Sequence, residues 1–69
     1  MKKPIKRFMR KIDGYNIYSV PNCFGYTNLV AYLNREKVAD EKYLICSREE
    51  LEFSYQHIIG IAKRNVSRT

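Results

Sequence analysis

One histidine, His57, and two cysteines, Cys23 and Cys46, supply all the imidazole and thiol groups of this 69-residue chain. They are too few and too scattered for a zinc site, because there is no C-x-x-C pair and one imidazole does not complete a ligand set with two lone thiols. Nucleophilic catalysis is no better served: no serine or cysteine is placed in sequence to suggest a pair with His57. Gly14, Gly25 and Gly60 are the only glycines and lie far apart, so no phosphate-cradling loop is present. Glu49, Glu50 and Glu52 crowd what reads as a helix start, where they complement the dipole rather than form a separated acid/base pair. No apolar run approaches the roughly 18 residues of a membrane span. No secretory leader is read, so both thiols are expected to be reduced, buried as small hydrophobes, in a cytoplasmic or nuclear setting, although a Cys23–Cys46 bridge stays open. The expectation is a chain with no catalytic residue, no metal and no cofactor.

Negative charge is missing from the N-terminus. Lys2, Lys3, Lys6, Arg7, Arg10 and Lys11 are six of the thirteen basic residues, and the other seven are balanced by seven acidic ones, so the formal net charge of +6 belongs to a leader spanning 1–11. A localised run of cations releases counterions from phosphates and gives salt-sensitive affinity for RNA or DNA. A solvated basic end that binds nothing is the competing account. Tyr15 and Tyr18, close to the leader, add rings of the kind that stack on single-stranded bases. The candidate nucleic-acid-binding set is thus Lys2, Lys3, Lys6, Arg7, Arg10, Lys11, Tyr15 and Tyr18.

A chain of this length forms one domain, here 1–69, with a core that rarely supplies more than about 3–5 kcal/mol unless a disulfide, metal or partner assists. Ile5, Phe8, Met9 and Ile12 have helical spacing and allow a targeting-helix reading of the leader, but Asp13-Gly14 between apolar runs favours a hairpin. Tyr15, Ile17, Tyr18 and Val20 carry strand-type side chains, with Tyr15 and Ile17 on one face and Tyr18 and Val20 on the other, and Pro21 ends the run. Tyr26, Leu29, Val30 and Leu33 at i, i+3, i+4 and i+7 predict a short amphipathic helix, Asn34 to Glu41 a polar connection, and Tyr43 to Cys46 a buried strand. Ser47-Arg48-Glu49-Glu50 is a capping box opening a helix over about Arg48 to Arg64, with Leu51, Tyr55, Ile58, Ile59 and Ala62 on its apolar face. Gly60 within it suggests close packing or a loosened last turn. The predicted architecture is a small α+β, β-β-α-β-α two-layer domain, an N-terminal hairpin plus one further strand covered by two helices. Phe53 lies off the apolar stripe with His57 and Arg64, and these three form a candidate protein-docking face.

The segments I-D-G-Y-N-I-Y-S-V-P-N and F-G-Y-T-N-L-V-A-Y-L, a hairpin whose second strand runs into a loop and helix, resemble the opening of the small kinase-binding subunit of the KEOPS tRNA-modifying complex. A-D-E-K-Y-L-I-C-S-R-E-E-L-E-F-S-Y is similar to that family's D-x-x-L/Y-aliphatic-V/C-S-x-x-Q/H-aliphatic run, and Ser67-Arg68-Thr69 falls near its basic, threonine-containing turn. The resemblance covers nearly all of this chain and about the first half of the family's length, without its tRNA-associated part. It implies a non-enzymatic accessory subunit that docks on a larger kinase-like ATPase, with tRNA as the indirect substrate. A small RNA-binding or ribosome-associated protein is the alternative expectation, and a small viral inhibitor of a host protein a third.

Overall fold

The structure, a computed structural model, describes residues 6–67. Lys2, Lys3 and Ile5 of the basic leader, and Arg68 and Thr69, lie outside the described residues. The Asp13-Gly14 hairpin forms as its turn chemistry dictates. Both turn residues have positive φ, 52° and 86°, and they join β1 (Arg7–Ile12) to β2 (Tyr15–Pro21) in antiparallel register. A short 3-10 turn, Cys23–Gly25, then leads into β3 (Tyr26–Leu33), which pairs with β2, and β4 (Glu36–Leu44) pairs with β3. The sheet is a four-stranded antiparallel meander in the order β1-β2-β3-β4, and α1 (Arg48–Ser67) packs across one of its faces. The domain is α+β as expected, but with four strands and one helix.

The predicted helix over Tyr26 to Leu33 is therefore a strand. Leu29, Ala31 and Leu33 alternate onto the face beneath α1, whereas Asn28, Val30 and Tyr32 point away, and two apolar faces at period 2 also generate a Tyr26-Leu29-Val30-Leu33 spacing. Eight residues make a short helix with a costly nucleus, yet they are an ordinary strand when neighbours accept their hydrogen bonds. The polar stretch from Asn34 to Glu41 is corrected in the same way. Asn34 and Arg35 form a tight turn at φ 53° and 69°, and the charges that follow belong to an edge strand, where lysines and carboxylates on the exposed side discourage pairing with other chains. The strand expected at Tyr43 to Cys46 is only the end of β4, which stops at Leu44. Cys23 and Cys46 are free and exposed, against the expectation of burial, because Cys23 opens the short 3-10 turn between β2 and β3 and Cys46 lies in the connection from β4 to α1, and neither is carried into the core.

The core is built from Tyr15, Ile17, Leu29, Ala31 and Ala39 of the sheet and Tyr55, Ile58, Ile59 and Ala62 of α1. Ala31 and Ala39 are directly paired, and with Ala62 they keep side chains small where helix meets sheet. The capping box forms with one difference. Ser47 Oγ accepts from Glu50 N–H at 3.2 Å, but the Glu50 carboxylate reaches back to Cys46 N–H at 3.1 Å rather than to Ser47. Asn65 donates to the Val38 carbonyl at 2.7 Å, at the irregularity where Ala31 pairs with Ala39 but Tyr32 with Lys37, and this contact carries the helix through to Ser67.

Gly60 explains neither close packing nor a loosened turn. It is exposed within a continuous helix, and a Cβ placed there meets nothing within 4 Å. Gly60→Ala is expected to stabilise the fold by about 1 kcal/mol, the difference in helix propensity, raising the melting temperature by roughly 4–8 °C. An unchanged or lowered melting temperature would show that the helix tolerates no side chain at that position.

Candidate nucleic-acid interface

Among the described residues, α1 covers only one face of the sheet. On the other face, Phe8, Tyr18 and Tyr32 stand side by side across β1, β2 and β3. Phe8 pairs in register with Tyr18, and their rings meet edge to face at 5.5 Å; the Tyr18 and Tyr32 rings meet in the same manner at 5.4 Å. The irregularity in β1 between Phe8 and Arg10 makes this row possible, because it keeps Phe8 opposite Tyr18 while bringing Arg10 opposite Ile17, on the helix side. Val30, on the open face between Tyr18 and Asp40 in register, is only 5% exposed, so the surrounding side chains close over it.

Cations are interleaved with the rings. The Lys6 ammonium lies 4.7 Å from the Tyr18 ring centroid and 4.4 Å from that of Tyr32, and Lys42 lies 5.0 Å from that of Tyr26. Lys11, paired with Asn16, and Lys37, paired with Tyr32, belong to the same face. Its carboxylate is Asp40, held by Lys37 at 3.5 Å and by the Asn28 amide at 2.9 Å. Among the described residues, four lysines against one aspartate make the open face basic. The carboxylates of Glu49, Glu50 and Glu52 lie at the start of α1, and Glu52 is spent on a bidentate pair with Arg10 at 2.9 and 3.0 Å.

The eight residues expected to bind nucleic acid are thus divided. Lys6, Lys11 and Tyr18 lie on the open face. Tyr15 is core beneath α1, and Arg10 sits over the Tyr55 ring at 4.9 Å, its charge held by Glu52, which also raises its pKa. Arg7 is exposed but pairs opposite Ser19, on the side of Ile17 rather than of Tyr18. Phe8, Tyr32, Lys37 and Lys42 were missed; the alternation Tyr26-Asn28-Val30-Tyr32 was the signal, once the segment is read at period 2.

The expected docking residues are all exposed, Phe53 by 73%. The structure brings Phe53 and His57 together, with near-parallel rings whose centroids are 6.5 Å apart, and adds Tyr43 of β4, whose hydroxyl shares a 2.7 Å hydrogen bond with His57 Nδ1. Arg64 stands further along the same helix side and takes no part in this cluster. Leu44 and Phe53 both line a cleft with Glu49 and Glu50, and Leu44 is 53% exposed.

Burial, with a smaller contribution from Glu41, pushes the Tyr43 phenol up to about 12. A raised phenol contributes stability that is fully present below its ordinary pKa of 10.0 and is lost as the pH rises to about 12. Tyr43→Phe is therefore expected to remove a late step, near pH 12, from the tyrosinate absorbance titration. Loss of a step near pH 10 instead would place Tyr43 in a solvated environment.

Among the described residues no cluster of three or more His, Cys, Asp or Glu is arranged to hold a metal ion, and no helix is long and apolar enough to cross a membrane. Comparison of the chain with known protein families, curated proteins and solved structures gives no match.

Proposed function

We propose that this protein is a non-enzymatic binding module whose open sheet face takes single-stranded nucleic acid. The observation that carries the reading is the Phe8-Tyr18-Tyr32 row with the Lys6 ammonium set against two of its rings. Aromatic side chains offer bases a stacking surface without regard to sequence, and lysines around them neutralise the backbone that connects those bases. A duplex keeps its bases stacked inside, so the rings favour single strands. The formal net charge of +6 adds long-range attraction to any polyanion. Fluorescence anisotropy with labelled single- and double-stranded RNA 12-mers tests the reading. Tighter binding of the single strand, weakening as salt rises, is expected; equal affinity for both forms would reduce the open face to a generic basic surface.

A second reading rests on a different observation, the exposed Phe53 beside Tyr43, His57 and Leu44. In it the chain is an accessory subunit that docks on a larger protein through α1 and the end of β4, with the kinase-like ATPase of a tRNA-modifying assembly as the partner suggested by sequence resemblance. Both readings are compatible, because Phe53 and His57 stand on α1, across the sheet from the Phe8-Tyr18-Tyr32 row. Phe53→Ala is expected to alter the stability of the isolated fold by less than about 1 kcal/mol while lowering affinity for that partner by about 2 kcal/mol or more, as buried aromatic anchors do. Calorimetry on the purified pair measures the second quantity and thermal melting the first; unchanged affinity removes Phe53 from any interface.

A further inference from the structure

At one end of the aromatic row lies a cleft of ≈ 190 Å³ lined by Lys6, Asn16, Tyr18, Tyr32 and Arg35. Ligand sites for whole small molecules run to roughly 300–1,000 Å³, so this one is sized for a single flat ring rather than an elaborated metabolite. Its chemistry differs from that of the two larger clefts, which contain Glu49 and Glu50 in one and Glu36 in the other. Here there are two cations, two phenol rings, one amide and no carboxylate.

Arg35 makes the cleft more than an accident of packing. It occupies the second position of the β3–β4 turn at φ 69°, after Asn34 at φ 53°. A two-residue turn of this kind favours Asn-Gly, because glycine enters the left-handed region freely and a residue with a Cβ is strained there. The chain has asparagine at the first position, as the turn prefers, but a long cationic side chain at the second. Arg35 has no carboxylate or hydrogen-bonding partner among the described residues, so no internal ion pair accounts for that choice. Strained residues cluster at functional sites, and Arg35 lines the cleft beside Lys6 and Tyr32. Asn16 is similar in one respect: its amide is half-buried on the open face and donates to no described neighbour.

We propose that this cleft is a nucleotide subsite. The inference rests on the single-strand reading and gives it a location. One base stacks on the face of Tyr32 and meets the nearly perpendicular Tyr18 ring edge-on, at the place the Lys6 ammonium takes between them; the Asn16 amide hydrogen-bonds the edge of that base; and Arg35 and Lys6 hold the adjoining phosphate. An ammonium already placed 3.4 Å from the Tyr32 hydroxyl needs only a side-chain rotation to move from ring to phosphate. Arginine suits the phosphate position because its planar fork donates two parallel hydrogen bonds.

The deciding experiment uses the full chain and a labelled U12 RNA, with Arg35→Gly, Asn16→Ala and, as a control on the same face but outside the cleft, Lys42→Gln. Arg35→Gly should relieve the turn and raise the melting temperature by a few degrees, so any loss of binding is not loss of fold. It is expected to weaken U12 binding about tenfold and to flatten the slope of log affinity against log salt by about 0.7, one single-strand phosphate contact. Asn16→Ala is expected to weaken binding several-fold with an unchanged slope, since it removes no charge. If the wild-type chain binds U12 and Lys42→Gln weakens it, but Arg35→Gly and Asn16→Ala bind as tightly as wild type, the subsite is overturned and the open-face reading stands. If the wild-type chain fails to bind single strands at all, both are overturned.

Discussion

Ile58→Ala should leave the chain largely unfolded at 25 °C. Ile58 has no exposed surface and sits where α1 meets the sheet, in a core completed by Ile17 and Leu29, which are equally inaccessible. Removing a buried isoleucine side chain to Cβ costs about 2–5 kcal/mol, part of it for the cavity that remains. A single core in a chain this short rarely supplies more than about 3–5 kcal/mol. Disulfide support is absent, since both cysteines are free. The surface ion pairs that fasten α1 to the hairpin, Arg10 with Glu52 and Lys63 with Asp13, are exposed and contribute little. Leu51→Ala, at a half-buried position on the helix margin, should cost distinctly less. Circular dichroism through a thermal melt distinguishes the two. A cooperative transition for Ile58→Ala within a few degrees of wild type would mean that the stability of the fold lies elsewhere.

Replacing Tyr18 and Tyr32 together by leucine should abolish measurable binding to single-stranded RNA while the domain stays folded. Stacking of a base on an aromatic side chain is worth about 1–3 kcal/mol, or roughly five- to 150-fold in affinity for each ring lost. Both tyrosines lie on the face away from α1, so leucine retains part of their packing around Val30 without disturbing the main core. The charge variants should behave differently. Glutamine in place of Lys11, Lys37 and Lys42 leaves the rings intact, lowers affinity, and flattens the salt dependence by about 0.7 for each phosphate contact removed. The tyrosine variant should keep the wild-type salt slope as far as residual binding permits. Equal loss and equal slope change in both variants would reveal a surface that attracts RNA by charge alone.

Local chemistry made the two ends of the chain legible. Asp13-Gly14 specifies a hairpin turn by itself, and Ser47 with Glu50 specifies a helix start by itself, so β1, β2 and α1 follow from residues close in sequence. The middle is different because β3 and β4 are defined by one another. Tyr26–Leu33 satisfies helical and strand periods alike, and only pairing with β2 and β4 on its two sides decides between them. Asn34-Arg35 gave no turn signal because arginine stands where glycine is usual. That ambiguity reaches the site. A helix over Tyr26–Leu33 does not bring Tyr32 beside Tyr18, and a β4 read as a connection leaves Lys37 and Lys42, which complete the surface, without a place on it. The phase of α1 was legible, and with it the exposure of Phe53, because the apolar stripe from Tyr55 to Ala62 is long enough to fix the orientation of the helix.

The measurement that bears most directly on the role of the open face is a backbone amide chemical-shift map of the labelled protein titrated with an unstructured RNA 12-mer. The largest shifts are expected at Phe8, Asn16, Tyr18, Val30, Tyr32 and Lys42, with little change along the outer side of α1 at Gln56, Gly60 and Arg64. Shifts concentrated on Phe53, His57 and Arg64, or no shifts at concentrations where charge alone would bring protein and RNA together, would contradict an RNA-binding sheet and leave the helix side as the functional surface.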